Sequence, residues 1–438
     1  MTRIRSFAVV CAVSMAVVGV GAAPASAQPA LEPPVTTTPP FTTPYTDNCP
    51  FAASPPPAID LSEVPAPGST VPQPLPIPAE AVGGDRLAEC GAVVPDGAPP
   101  LPADISATGF VVADMDSGAV LAAKDPHGRY RPASTIKVLL ALVALDELNL
   151  NTQVTATAED AAAEGSAVGI GKNGVYTNLQ LMQGLVMASG NDAAHALSRQ
   201  MGGDGATVEK MNAKAVELGA LDTRTATPSG LDGPGMACSA YDLALIYREA
   251  MRNPTFTQLI STQTVQFPGY PKDPAIPEDQ DRPGFTLSND NLLLYNYEGA
   301  LGGKTGYTDD ARQTFVAGAE RDGRRLVVTI MQGDVLPIRP WEQAARLLDY
   351  GFAMDSSSSV GDLVEPRSTS AVTSTRSSGP TPTLAQPPSS VPSSSASGSR
   401  QSDLQAQGDT VVRIAIGVIG TIVVLGLLWG ARRLSRTR

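Results

Sequence analysis

The sequence predicts an α+β fold: an antiparallel sheet formed by N- and C-terminal segments, with flanking helices and a mainly helical inserted region. Three observations predict it, namely a hairpin pattern early in the domain, another near its end, and helical periodicity between and after them. The first hairpin reads Gly109-Phe110-Val111-Val112-Ala113, a turn at Asp116-Ser117-Gly118, then Ala119-Val120-Leu121. The second runs Thr314–Ala319, turns at Asp322-Gly323 and returns through Leu326–Met331, with the Asp-Gly connection that tight hairpins favour. Trp341–Tyr350 has helical spacing and closes the domain. The middle, about 155–290, reads as helices, for example Thr177–Ser189 opened by a Thr177/Gln180 capping box.

Around this domain the 438-residue chain changes composition. Residues 1–27 carry Arg3 and Arg5, an apolar run and Ala25-Ser26-Ala27, the pattern of a secretory signal peptide. Residues 28–104 form a leader crowded with Pro and Thr, as in Pro55-Pro56-Pro57, too poor in apolar residues to build a core. Such a leader either is a threading or docking arm or, the preferred reading, lies along the domain at 105–354. Residues 355–411 read as a disordered Ser/Pro-rich stalk. A transmembrane helix follows at 412–431, where Ile414–Ala431 is an uncharged run, and 432–438 form a basic tail with Arg432, Arg433, Arg436 and Arg438. Positive residues stay in the cytoplasm, so the domain at 105–354 is expected outside, on the extracytoplasmic side of a single-pass anchor.

Charge and cysteine content narrow the function classes. Without Arg3, Arg5 and the four tail arginines, 25 basic residues face 43 acidic ones, a balance of −18 over residues 28–413. A polyanion-binding surface needs the opposite sign, which argues against nucleic acid as a partner. Once Cys11 leaves with the signal peptide, Cys49, Cys90 and Cys238 remain. Cys49 and Cys90 bracket the segment with least core, where a disulfide helps most, leaving Cys238 as a packed thiol. With only His127 and His195 in the chain and no C-x-x-C, neither a metal site nor a cofactor is expected.

The chemistry lies in three short elements in one order. Ser134-Thr135-Ile136-Lys137, Ser189-Gly190-Asn191 and Lys304-Thr305-Gly306 read S-x-x-K, S-x-N and K-T-G, 55 and then 115 residues apart. This is the set used by serine enzymes that open D-alanyl peptides and β-lactams. A serine hydroxyl is a weak nucleophile until a neighbouring base takes its proton. Lys137, three residues on at the start of an apolar helix, serves if burial lowers its pKa. Taken alone, Ser134 equally caps a helix and Lys137 snorkels outward. Ser189 is placed to relay a proton to a leaving amine, and Asn191 to bond a peptide carbonyl or hold Lys137. Lys304 and Thr305, on an expected edge strand, offer donors to a carboxylate, and Gly306 lets a peptide backbone approach.

These motifs and their surroundings resemble the D-alanyl-D-alanine carboxypeptidases, the low-molecular-mass penicillin-binding proteins of serine peptidase family S11. The resemblance spans nearly all of 105–354. It includes Pro132-Ala133-Ser134, Met187-Ala188-Ser189-Gly190-Asn191-Asp192-Ala193-Ala194, Thr227-Pro228-Ser229-Gly230-Leu231-Asp232, Asn289-Asp290-Asn291-Leu292-Leu293 and Gly303-Lys304-Thr305-Gly306-Tyr307-Thr308. It implies the penicillin-binding-protein fold. It also implies a serine carboxypeptidase acting on peptidoglycan stem peptides that end in D-Ala-D-Ala, through an acyl-enzyme on Ser134, with β-lactams as inhibitors. Lys137 is then the base, Ser189 and Asn191 its second-motif partners, and Lys304 and Thr305 the binders of the substrate's end. The amides of Ser134 and Tyr307 would form the oxyanion hole, and Arg339 would meet the terminal carboxylate.

Two other functions share these motifs. A class A β-lactamase adds a deacylating glutamate in an E-x-x-L-N setting, but Glu217 stands four residues before Leu221 and Asp222 follows. A non-catalytic wall-binding or penicillin-sensing module need not keep all three motifs. A Ser-His-Asp triad through His127 or His195 is disfavoured, because Lys137 already supplies a base.

Overall fold

The computed structural model describes residues 54–367. The signal peptide at 1–27, Cys49, the stalk from residue 368 and the apolar run 414–431 lie outside the described residues. Among the described residues no helix is long and apolar enough to cross a membrane.

A seven-stranded antiparallel sheet organises the fold. Its strands come from both ends of the domain: β1 (Ala92–Val93), β2 (Gly109–Asp114) and β3 (Ala119–Lys124) from the first part. After β3 a 3-10 turn, Ala133–Ile136, leads into α1 (Lys137–Glu147). The inserted region then carries β4 (Gln153–Thr155), α2 (Ala158–Ala161), β5 (Val175–Thr177), α3 (Asn178–Met187), α4 (Asn191–Gln200) and α5 (Asp204–Leu218). It continues with α6 (Ala240–Ala250), α7 (Pro254–Ser261), the hairpin β6 (Thr264–Phe267) and β7 (Phe285–Ser288), and the short α8 (Leu293–Asn296). The chain returns to the sheet through β8 (Ala300–Thr308), β9 (Arg312–Arg321) and β10 (Arg324–Gly333), then α9 (Pro340–Ala353) and β11 (Gly361–Asp362). Strand order is β1-β3-β2-β10-β9-β8, with β11 also on β3. The expected hairpins are β2–β3 and β9–β10, and the predicted capping box opens α3.

Every residue of β2 is buried, as expected of a strand covered on both faces. Val111 and Ala113 face the helical core with α1 and α6, while Phe110 and Val112 face Leu347 and Leu348 of α9. α1 is buried along Lys137–Ala144, which explains its unbroken apolar run: it threads the middle of the helical layer.

Two short strands outside 105–354 also pair into the sheet. β1 lies within the leader and β11 within the stalk, yet both complete the edge of β3. Short strands with little apolar periodicity carry no sequence signal, and their backbone pairing alone places them. The described leader lies along the domain. Cys90 is disulfide-bonded, and Cys238 is a buried free thiol. Cys49, its expected partner, falls outside the described residues.

Candidate active site

Ser134 sits in the 3-10 turn before α1 rather than in the α-helix itself. Side chains three residues apart eclipse in such a turn, and Lys137 Nζ consequently lies 2.7 Å from Ser134 Oγ, hydrogen-bonded to it. Lys137 Nζ also donates to the Ser229 carbonyl at 2.5 Å. Ala133, just before the nucleophile, has φ 47, a left-handed conformation that costs a residue with a Cβ free energy. Its neighbours hold it there. A Cβ on Gly230 would meet the Ala133 carbonyl oxygen at 2.1 Å, so only glycine lets the 227–232 loop close over the turn. Thr314 Oγ1 on β9 donates to the Pro132 carbonyl at 2.7 Å.

The K-T-G strand closes the other side. β8 is the sheet's edge, paired to β9 with Lys304 opposite Val316 and Gly306 opposite Thr314. A Cβ on Gly306 would lie 2.9 Å from the Ser134 nitrogen and 3.0 Å from the Thr135 nitrogen, so glycine here brings the edge strand against the nucleophile's turn. Lys304 is buried, donates to the Thr305 carbonyl at 3.0 Å and stands 3.7 Å from Asp290 Oδ2. Thr305 Oγ1 donates to the same carboxylate oxygen at 3.1 Å. Tyr307 is exposed, its hydroxyl donating to Asp309 at 2.7 Å.

The two lysines influence each other's charge. Burial pushes the Lys137 pKa well below its ordinary value and the nearby Lys304 charge lowers it further, against the opposing pull of Asp290 and Asp192. Burial also lowers Lys304, partly offset by Asp290. A neutral Lys137 amine can donate to the Ser229 carbonyl and still accept the Ser134 hydroxyl proton, as a general base must.

Ser189 and Asn191 occupy the break between α3 and α4. Ser189 is buried at φ 57, a second strained position. Asn191 Nδ2 donates to the Glu164 carbonyl at 2.5 Å; it therefore fastens the 164–171 loop, and Lys137 Nζ makes its hydrogen bonds to Ser134 Oγ and the Ser229 carbonyl instead. That bond fixes the amide so that Oδ1 is a buried acceptor without a partner, an arrangement that leaves it for an incoming N–H.

Sequence reasoning gave no roles to Asp192 and Asp290. Asp192 is buried and accepts from the amides of Val168, Gly169 and Ile170 at 2.8–3.0 Å, locking the loop that Asn191 also holds. Both residues lay within motif neighbourhoods, but nothing in their spacing tells a loop clamp from a surface acid. Arg339, the N-cap residue of α9, lines a cavity of about 560 Å³ together with Thr305, Asp290, Phe315 and Trp341. The position carried over for it thus lies beside the K-T-G strand. His195 Nδ1 pairs with Asp160 Oδ1 at 2.7 Å and His127 Nδ1 with Asp222 Oδ2 at 2.8 Å; Ser134 is hydrogen-bonded to Lys137. His127, Asp222 and Asp242 cluster closely enough to hold a metal ion, but Arg129 Nε already donates to Asp222 at 3.0 Å.

The model of the peptidase S11 family, D-alanyl-D-alanine carboxypeptidase, matches residues 96–335. The chain belongs to this family. It is 50% identical over 275 residues to D-alanyl-D-alanine carboxypeptidase DacB2 of Mycobacterium tuberculosis, covering 62% of this chain and 90% of that protein. With D-alanyl-D-alanine carboxypeptidase DacF of Bacillus subtilis the identity is 31% over 249 residues, 56% of this chain and 61% of the relative. Among solved structures, an evolved penicillin-binding protein homologue from Mycobacterium tuberculosis aligns with TM-score 0.58 at 48% identity, over 62% of this chain and all of that one. A Streptomyces DD-transpeptidase aligns with TM-score 0.53 at 28% identity, over 58% of this chain and all of that one. The S11 chain thus has the fold of the penicillin-binding proteins, as the sequence predicted.

Proposed function

We propose that this S11 carboxypeptidase removes the terminal D-alanine from peptidoglycan stem pentapeptides through an acyl-enzyme on Ser134. The observation that carries the assignment is the 2.7 Å contact between Ser134 Oγ and a buried Lys137 whose pKa is depressed. Lys137 takes the hydroxyl proton as Ser134 attacks the penultimate D-Ala carbonyl. The oxyanion is received by the amides of Ser134 and Tyr307. Ser189 passes a proton to the leaving D-alanine amine while Asn191 accepts from the peptide. Lys304, Thr305 and Arg339 bind the terminal carboxylate. Water then releases the shortened peptide. A β-lactam ring enters the same path and leaves an acyl group on Ser134. Peptide mapping of penicillin-treated protein should find one adduct, on the peptide bearing Ser134, and the untreated protein should release D-alanine from a pentapeptide. An adduct on another residue overturns the assignment.

A β-lactamase would need a deacylating glutamate in an E-x-x-L-N setting, which Glu217 does not have. Glu217 lies near the end of α5, paired with Lys214 at 3.0 Å. For the chain ends, the sequence supports export by residues 1–27 and anchoring by Ile414–Ala431. Deleting residues 412–438 is expected to release active enzyme into the medium. Retention in the membrane fraction would assign the anchor elsewhere.

A further inference from the structure

A segment of the leader, Ile59–Val64, is fastened to both halves of the catalytic cleft. The Ile59 amide donates to Asp310 Oδ1 at 2.7 Å, two residues beyond the end of β8. Glu63 forms a two-pronged ion pair with Arg131, its Oε2 accepting from Nη2 at 2.9 Å, three residues before the nucleophile. Arg131 is buried; burial opposes its charge, but the bond to Glu63 and the charges of Asp310 and Asp232 outweigh that and raise its pKa. Asp232 belongs to the loop that closes over Ala133. This strap precedes residue 96, where the family match begins. Its large apolar side chains are not used for packing: Ile59, Leu61 and Val64 are 70%, 81% and 61% exposed.

The direction of the substrate brings it to this strap. Resting on the reading above, the terminal carboxylate lies at Lys304 and Thr305 and the scissile carbonyl at the Ser134 and Tyr307 amides. An extended peptide paired along β8 then continues past Thr308, toward Asp310 and the strap. We infer that Ile59–Val64 forms a wall of the substrate groove and determines specificity for the stem upstream of the D-Ala-D-Ala end. Its ligand is the peptide and sugar portion of a muramyl pentapeptide, met by an exposed apolar surface edged with Asp60 and Asp309.

Three substrates of the full-length enzyme separate this role from a structural one: penicillin, diacetyl-L-lysyl-D-alanyl-D-alanine and a lysine-type muramyl pentapeptide. Two variants are compared with the wild type, Glu63→Gln, which weakens the pin, and the triple change Ile59→Ser, Leu61→Ser, Val64→Ser, which keeps the pin and strips the surface. Each is expected to raise KM for the muramyl pentapeptide at least about fivefold, with penicillin acylation and tripeptide turnover changed less than about twofold. A triple variant whose ratio of pentapeptide to tripeptide kcat/KM is unchanged or increased overturns the proposal, as does an equal loss on all three reagents by both variants. Failure of the wild type to react with penicillin would sink the active-site reading itself, a result distinct from reactivity with an unchanged ratio.

Discussion

Two pairs of buried cations lie within one molecule in opposite electrostatic settings. In the cleft, Lys137 is hydrogen-bonded to a hydroxyl and a carbonyl, and Lys304 to a carbonyl with a carboxylate 3.7 Å away. Burial dominates, and both pKa values fall. Along the leader seam, Arg129 and Arg131 each meet a carboxylate directly. Arg129 donates to Asp222 and to the carbonyls of Leu75 and Pro76, and Arg131 grips Glu63. A lysine short of charged partners becomes a base, whereas an arginine keeps its charge and serves as an attachment point. The difference separates a buried cation kept for chemistry from one kept to hold a chain in place.

The largest expected effect removes the nucleophile. Ser134→Ala should abolish covalent labelling by penicillin and lower D-alanine release by at least about 10⁴-fold, while the fold and both cation pairs persist. Labelling that survives would move the chemistry away from the Lys137 side of the comparison.

Next is the base. Lys137→Ala should slow acylation by about 10²–10⁴-fold. Its effect on stability has the opposite sign from that of a seam cation. A lysine with a depressed folded pKa is neutral where the unfolded chain binds a proton, so below the unfolded value, about 10.4, it subtracts stability. Its removal loses two hydrogen bonds but relieves that penalty, and the melting temperature should stay within about 5 °C of wild type. A folded variant acylating at near wild-type rate would dismiss Lys137 as the base.

How far these features were legible in the sequence follows from how local their causes are. Ser134 and Lys137 share one turn, so their contact could be read from a spacing of three. The β2–β3 and β9–β10 hairpins were legible for the same reason, since turn residues and alternation are neighbours in sequence. The leader seam was not. Arg131 and Glu63 are 68 residues apart and Arg129 and Asp222 are 93 apart, and a Pro-rich segment gives no periodicity to say which face it covers. Asp290 was hidden likewise, its part beside Lys304 arising only when β8 folds back to the edge of the sheet.

A smaller effect is expected from breaking the seam while sparing the cleft. Arg129→Met leaves Asp222 with one fewer cation and frees the carbonyls of Leu75 and Pro76. Removing one partner of a buried pair costs about 3–5 kcal/mol, measured as a loss in urea unfolding. The penicillin acylation rate of the molecules still folded should match wild type. A parallel fall in acylation would show that the seam and the cleft are one electrostatic unit.

The smallest effect is a pH dependence confined to the seam. His127 is buried, its Nδ1 against Asp222 and its Nε2 3.0 Å from the Val82 carbonyl, with the Tyr241 ring 4.7 Å away. Burial lowers its pKa, but the bond to Asp222 and the charges of Asp222 and Asp242 outweigh that, and the folded value is raised. A histidine raised on folding contributes stability that is fully present below its unfolded pKa, about 6.5, and is lost as pH climbs through the folded value. Asp242 acts in the same sense. Burial and its neighbour Asp222 raise its carboxyl pKa, so ionising it above the ordinary carboxylate range costs stability until the folded value is passed. The protein should therefore lose stability as pH rises from the ordinary carboxylate range to about 8 through Asp242, and from about 6.5 upward through His127, and His127→Gln should remove the histidine's share. The gap between wild type and variant in unfolding free energy, from urea denaturation, is expected to narrow with rising pH, by about 1.4 kcal/mol per unit of pKa shift. A gap that widens would reverse the assigned direction. Acylation of Ser134 provides the contrast: its acid limb should follow the cleft lysine and be the same in His127→Gln, because the seam histidine touches neither Ser134 nor Lys137.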